Sequence, residues 1–400
     1  MLKPINVLLR RLPEPPLEVE ALMAEARRSA GLHDFGDESF REPLEVLVES
    51  IEREARLHPL GRRITRGRLV GVLRNRLRVH ALLERHPEVR AETVRAPIVV
   101  AGVQRTGTTL LHRVLAAHPG LRALASWEAL HPAPARRQLP FGPDPRLLDA
   151  KLAEWGLRVL APDFFAIHPV QATAPEEDVL LLDQSLLSTV PEATLRVPTY
   201  SRWLESRDPT PAYAYMKILL GLLQWQRHAA QPPGRWVLKT PHHLEWLDVL
   251  FAVFPDAVVV QTHRDPTVTL ASFCSMIAHG RAVFSDAVDR HEIGREWSRK
   301  VRRMVERAMA TRDRSGEDRF VDVRYRDLVA DPMAQVRRIA ERAHLPLTPE
   351  AEERMRRTLS GNPQHKHGVH RYRLEDYGLR RDEVERTFAD YRERFAIPSD

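Results

Sequence analysis

The chain has 400 residues, 43% of them hydrophobic, and 61 Lys and Arg against 54 Asp and Glu give a net charge of +7. This is enough apolar residue for one large or two smaller soluble domains, and because opposite charges interleave almost everywhere, the basic excess forms no block of the kind that grips nucleic acid. The single cysteine, Cys274, excludes an internal disulfide and a cysteine metal cluster, suits a reducing compartment, and is expected as a small core residue on a helix.

The N-terminal MLKPINVLLRRLPEPP is too short and interrupted in its apolar run to read as a signal peptide. No run reaches the length of a membrane span; the most apolar, Val249 to Gln261, is broken by Pro255 and Asp256. The expectation is a cytoplasmic protein with at most peripheral membrane contact, through Ile5 to Leu9 beside Arg10 and Arg11. From Leu17 to Glu88, three stretches place apolar residues at three- and four-residue spacing and predict helices, a scaffold or substrate lid without concentrated chemistry.

Pro97 to His118, PIVVAGVQRTGTTLLHRVLAAH, organises the rest. Ile98 to Ala101 predict a parallel strand buried on both faces, Gly102 and Gly107 bracket a turn, and Thr108 opens an amphipathic helix. Free backbone N–H groups and the positive end of a helix dipole converge in such a turn, so it is expected to bind an oxyanion. Gly102 and Gly107 have the spacing of a nucleotide phosphate loop, but Thr108 stands where that pattern requires lysine, and the cation is instead Arg105 within the loop.

Leu121 to Ala125 predict a second short strand, which places Glu128 near a carboxyl end where ligands gather in parallel sheets. Pro132 to Pro145 read as a loop, Leu147 to Leu160 as a helix, and Phe164, Phe165 and His168 as core rather than acceptor-pocket wall. A helix from Tyr213 to His228 precedes a strand, Trp236 to Lys239, and another helix from His242 to Phe254 precedes the strand Ala257 to Thr262. This alternation predicts a doubly wound parallel sheet. Asp265-Pro266 caps a helix carrying Ser272; a charged surface helix spans Glu292 to Thr311; the strand Phe320 to Val323 leads to Tyr325. Helices over Met333 to Ala343, Pro349 to Leu359 and Arg381 to Arg394 enclose the basic loop Gly361 to Arg371, whose histidines lack the cysteine or carboxylate partners of a zinc site.

Gln104-Arg105-Thr106-Gly107-Thr108-Thr109 resembles the 5′-phosphosulfate loop of the sulfotransferases that use 3′-phosphoadenosine 5′-phosphosulfate (PAPS), in the arginine form of tyrosylprotein and several bacterial lipid and carbohydrate enzymes. Arg264 with Ser272 eight residues on is similar to the family's 3′-phosphate clamp, Lys239 to the lysine at the sulfuryl oxygens, and Tyr325 to the tyrosine near the nucleotide. Glu128, 23 residues beyond Arg105, falls in the region of the catalytic glutamate, with a two-residue insertion before it and His131 as the alternative base. Lys366, His370 and Arg371 match a late basic loop that closes over the nucleotide.

The resemblance implies an α/β, P-loop-like three-layer fold in which helices flank a central parallel sheet, with helical and loop insertions. Residues 1–95 would form a helical segment packed on the core and 96–400 the sulfotransferase domain. It further implies metal-free in-line transfer of a sulfuryl group to a hydroxyl of a small or lipid-like acceptor, with Arg105, Glu128 and Lys239 as the catalytic set. The alternatives are a P-loop kinase or nucleoside triphosphatase and a non-catalytic anion- or nucleic-acid-binding protein.

Overall fold

The computed structural model describes residues 2–134, 144–162, 165, 170–227, 234–361 and 372–399. Four helices lead: α1 (Leu2–Leu9), α2 (Val19–Ala30), α3 (Arg41–Glu54) and α4 (Pro59–Arg85). Then come β1 (Ile98–Gly102), α5 (Thr108–Ala116), β2 (Leu121–Ala123), α6 (Ser126–Leu130), α7 (Pro145–Leu160), α8 (Val179–Leu182), α9 (Val190–Thr194), α10 (Pro198–Glu205), α11 (Thr210–Arg227) and β3 (Arg235–Lys239). The chain continues through α12 (Leu247–Val253), β4 (Val258–His263), α13 (Pro266–Ala282), α14 (Arg290–Ser315), β5 (Phe320–Arg324) and α15 (Tyr325–Ala330). Helices α16 (Pro332–Arg342), α17 (Pro349–Ser360), α18 (Arg381–Thr387) and α19 (Ala389–Arg394) complete it.

The sheet order is β2-β3-β1-β4-β5 and every pairing is parallel, so all five carboxyl ends meet at one edge. Central β1 is buried along its whole length, with Ile98 opposite Val237 on one side and Val258 on the other. Side chains alternate across a strand. Ile98 and Val100 therefore join Val237, Val260, Leu111 and Val336 in the core on one face, while Val99 and Ala101 join Trp236 and Val259 on the other. Leu22, Leu44, Leu69 and Leu77 of the N-terminal helices belong to that second cluster, which makes them part of the same core as the sheet. Cys274 is also buried there, on α13.

Three predicted helices are corrected. The 292–311 segment keeps Arg295, Arg299, Arg302 and Glu306 on the surface as expected but is not wholly a surface helix: α14 buries Ile293, Trp297, Val301, Met304 and Ala308 along its other face, an apolar stripe that its high charge obscures. The continuous helix over 242–254 is a 3₁₀ turn, Pro241–Glu245, followed by α12, because Trp246 leaves helical dihedrals at φ −135°. The last helix likewise breaks at Phe388, which is buried and leaves helical dihedrals at φ −111°.

Candidate functional site

The turn after β1 is shaped by two left-handed residues, Arg105 at φ 71° and Gly107 at φ 90°. A side chain at Gly107 would press on Leu328 and the Tyr325 ring, and one at Gly102 would collide with the Thr262 hydroxyl. Thr106 is wholly buried, its hydroxyl donating to the Val103 carbonyl at 2.6 Å and meeting the Thr262 hydroxyl at 2.5 Å. Its side chain therefore ties the loop to β4, leaving its backbone for any ligand. Thr109 and Arg105 are exposed, Thr108 is buried, and half-buried Gln104 has an inward amide oxygen without a partner among the described residues. The first-turn N–H groups of α5 open onto this cradle.

Residues far apart in sequence close over the loop. Arg105 Nε donates to the Ser272 hydroxyl at 3.1 Å, and Arg264 Nη1 donates to the Arg105 carbonyl at 3.3 Å. The Arg264 guanidinium lies 4.0 Å above the centre of the Tyr325 ring. Asp265 accepts from the Thr267 N–H at 3.0 Å, capping α13 and fixing the helix that presents Ser272. The donors assembled here are two guanidiniums, a hydroxyl and a helix N-terminus, a set whose chemistry fits a ligand with two separate anionic groups.

A second cluster forms at the end of β3. Lys239 is buried and its Nζ donates to Glu177 Oε1 at 2.6 Å, while the Thr240 hydroxyl donates to the other Glu177 oxygen at 3.3 Å. The Lys239 backbone N–H donates to Asp178 Oδ1 at 2.8 Å. Asp178 Oδ2 pairs with His243 Nε2 at 2.7 Å, and His243 Nδ1 lies 2.9 Å from the Tyr213 hydroxyl. Burial raises the Asp178 carboxyl, but the His243 charge and hydrogen bond and the nearby backbone N–H groups outweigh it and hold the group below the usual carboxylate range. Beneath β3, burial and the Lys239 charge push the His112 ring down to about 3, so it is neutral at physiological pH.

Residues 97–350 match the model of the sulfotransferase family. The chain belongs to that family. The omega-hydroxy-beta-dihydromenaquinone-9 sulfotransferases of Mycobacterium bovis and Mycobacterium tuberculosis are each 28% identical to it over 263 residues, 62% of this chain and 63% of theirs. The match thus spans less than two thirds of those relatives. Among solved structures, sulfotransferase STF9 from Mycobacterium avium superposes with a TM-score of 0.85 at 31% identity, covering 96% of this chain and 98% of its own. Sulfotransferase STF1 from Mycobacterium tuberculosis gives 0.81 at 35% identity, covering 93% and 98%. The P-loop-like arrangement of sheet and helices is the one these sulfotransferases share.

Within this member of the family, Glu128 occupies a different setting from the open strand end expected of it. It is 1% exposed, and both carboxylate oxygens bond Arg227, one of them from Nε at 2.6 Å. Glu128 also accepts from the Ala125 N–H at 3.0 Å, capping α6. Burial and the neighbouring Arg122 push Arg227 down to about 10, still cationic at neutral pH. Burial likewise lowers the His131 ring, against the charge of Asp149. Lys366, His370 and Arg371 of the expected covering loop lie outside the described residues, as do Phe164 and His168. Glu177, Asp178 and His243 did not emerge from the sequence; Glu176-Glu177-Asp178 before an apolar run reads as an ordinary helix start, and only its packing against β3 distinguishes it.

Proposed function

We propose that this sulfotransferase moves a sulfuryl group from PAPS to the hydroxyl of a lipid-like acceptor. The observation that carries the donor half is the convergence of Arg105, Ser272, Arg264 and Tyr325 on one glycine-bracketed loop. The loop N–H groups with Thr108 and Thr109 would hold the 5′-phosphosulfate, and Arg264 with Ser272 the 3′-phosphate. The acceptor half rests on the relatives named for an omega-hydroxylated dihydromenaquinone.

In the proposed step, an acceptor oxygen forms a bond to sulfur as the bond from sulfur to the 5′-phosphate oxygen breaks, and adenosine 3′,5′-bisphosphate departs. Arg105 neutralises charge on that bridging oxygen and Lys239 charge on the sulfuryl oxygens. A carboxylate takes the hydroxyl proton late, so it needs reach more than basicity. The reading from sequence makes Glu128 this base, but its oxygens are committed to Arg227; Glu177 suits the role better because it is paired with Lys239 and partly open, at 23% side-chain exposure. When Lys239 turns to the sulfuryl oxygens, the Glu177 carboxylate is released toward the hydroxyl.

Calorimetric titration with adenosine 3′,5′-bisphosphate beside ATP tests the donor assignment, with the bisphosphate expected to bind more tightly. Tighter ATP binding would sink it. Turnover of labelled donor with isoprenoid alcohols beside sugars tests the acceptor, and transfer to sugars alone would remove the lipid reading.

A further inference from the structure

Among the described residues eight large apolar side chains are strongly exposed, and four lie on α7: Leu148, Leu152, Trp155 and Val159, with Trp155 at 65%. Steps of four, three and four residues align them in single file on one side of the helix. The opposite side makes the contacts with the protein. There Arg146 and Ala150 are buried, and Glu154 accepts from the Ala172 N–H at 3.0 Å. Lys151 and Arg158, both exposed, follow one flank of the ridge, Arg158 also pairing with Glu154 at 2.9 Å. Exposed Asp149 is on the other, within electrostatic reach of Arg78.

The chemistry of the ridge selects its occupant. A tryptophan among leucines, edged by Lys and Arg, matches a bilayer interface: the ring and aliphatic chains enter the headgroup boundary while the cations meet anionic lipid. Four side chains in single file fall well short of the roughly 20–30 residues a side of a stable protein interface. No helix of the described residues is long and apolar enough to cross a membrane, so contact through α7 is surface contact. The start of α7 is tied to the segment that carries Glu177, since the Arg146 guanidinium lies 4.7 Å over the ring of Trp127, whose backbone N–H donates to the Ala172 carbonyl at 3.0 Å.

We propose that α7 is a membrane-docking helix that lays Leu148, Leu152, Trp155 and Val159 into an anionic bilayer surface and so brings a membrane-dissolved alcohol to the adjoining site. The delivery role rests on the lipid-acceptor reading; the docking role does not. The test is co-sedimentation of the full chain with vesicles of phosphatidylcholine, alone or mixed with phosphatidylglycerol, using wild type and a Leu152→Ser, Trp155→Ser double variant. Wild type should pellet with the anionic vesicles, less so at high salt, and the variant's partition coefficient should fall at least about tenfold. Turnover of the variant should be unchanged on a water-soluble alcohol and reduced on a vesicle-embedded isoprenoid alcohol. Docking without sulfation of either alcohol supports the surface and removes the lipid-acceptor reading. Wild type left in the supernatant, or a variant that pellets equally, overturns the proposal. So does light scattering that shows a wild-type dimer, a monomeric variant and no vesicle binding, since the ridge then covers a second copy.

Discussion

The Arg264 guanidinium lies over the Tyr325 ring, 4.0 Å from its centre, while one of its nitrogens donates to the Arg105 carbonyl. The ring and the carbonyl together hold the fork in place. Arg264 is thus oriented before any phosphate arrives, which lowers the entropic cost of gripping one. Replacing Arg264 with Ala should weaken adenosine 3′,5′-bisphosphate about 10- to 100-fold, the loss of a charge-assisted bond. Tyr325→Leu removes the stacking surface while leaving the Arg264 charge in place and should weaken it about 2- to 10-fold. Calorimetric titration of both variants reads this order, and equal affinities in wild type and Arg264→Ala would remove Arg264 from the phosphate site.

Glu128 and Glu177 should fail in different ways. Glu128→Gln leaves the buried Arg227 without its carboxylate and should destabilise the fold by about 3 kcal/mol, seen as a lower urea midpoint, with turnover per folded molecule retained. Glu177→Gln leaves the buried Lys239 without its carboxylate and should also lower the urea midpoint, but here bisphosphate affinity stays intact while kcat per folded molecule falls about 100- to 10,000-fold. The reverse pattern would return the base to Glu128.

Asp178 joins the Lys239 backbone to His243 and Tyr213 through wholly buried contacts. Asp178→Asn keeps the shape but replaces a charged acceptor with an amide that offers one oxygen for two partners. Lys239 should lose its fixed position, and kcat should drop about tenfold or more with little change in the Kd for adenosine 3′,5′-bisphosphate. Single-turnover kinetics beside the binding titration separates the two effects.

Acid should unfold the protein partly through two histidines. Burial, aided by Lys239 at His112 and by His243 and Lys300 at His242, pushes both rings down to about 3. The unfolded chain protonates the same rings near pH 6.5, so between about pH 6.5 and pH 3 it holds more protons than the folded protein. This contribution to stability is complete above about pH 6.5 and is lost as the pH falls through that window, by at most about 1.4 kcal/mol per pH unit for each ring. Urea unfolding across the window should show the decline, and His112→Gln should make it shallower.

Arg105, Arg264 and Tyr325 were picked out by their likeness to family motifs, and only the tertiary structure brings them onto one loop; the sequence alone determined the strands of the sheet, the loop after β1 and the capped helix carrying Ser272. These are local patterns, since two glycines, an alternation of apolar runs and an Asp-Pro cap act within a few residues of themselves. It also placed Lys239 at a strand end. Its partner was not legible, because Glu177 is 62 residues away and acquires its role only when the segment before α8 packs on β3. Glu128 shows the same limit in the other direction. Its position near a strand end suggested an open carboxylate, while Arg227, 99 residues on, closes it into a buried ion pair. Burial and long-range charge pairing decide whether a carboxylate meets substrate or supports the fold, and both arise only when distant segments come together.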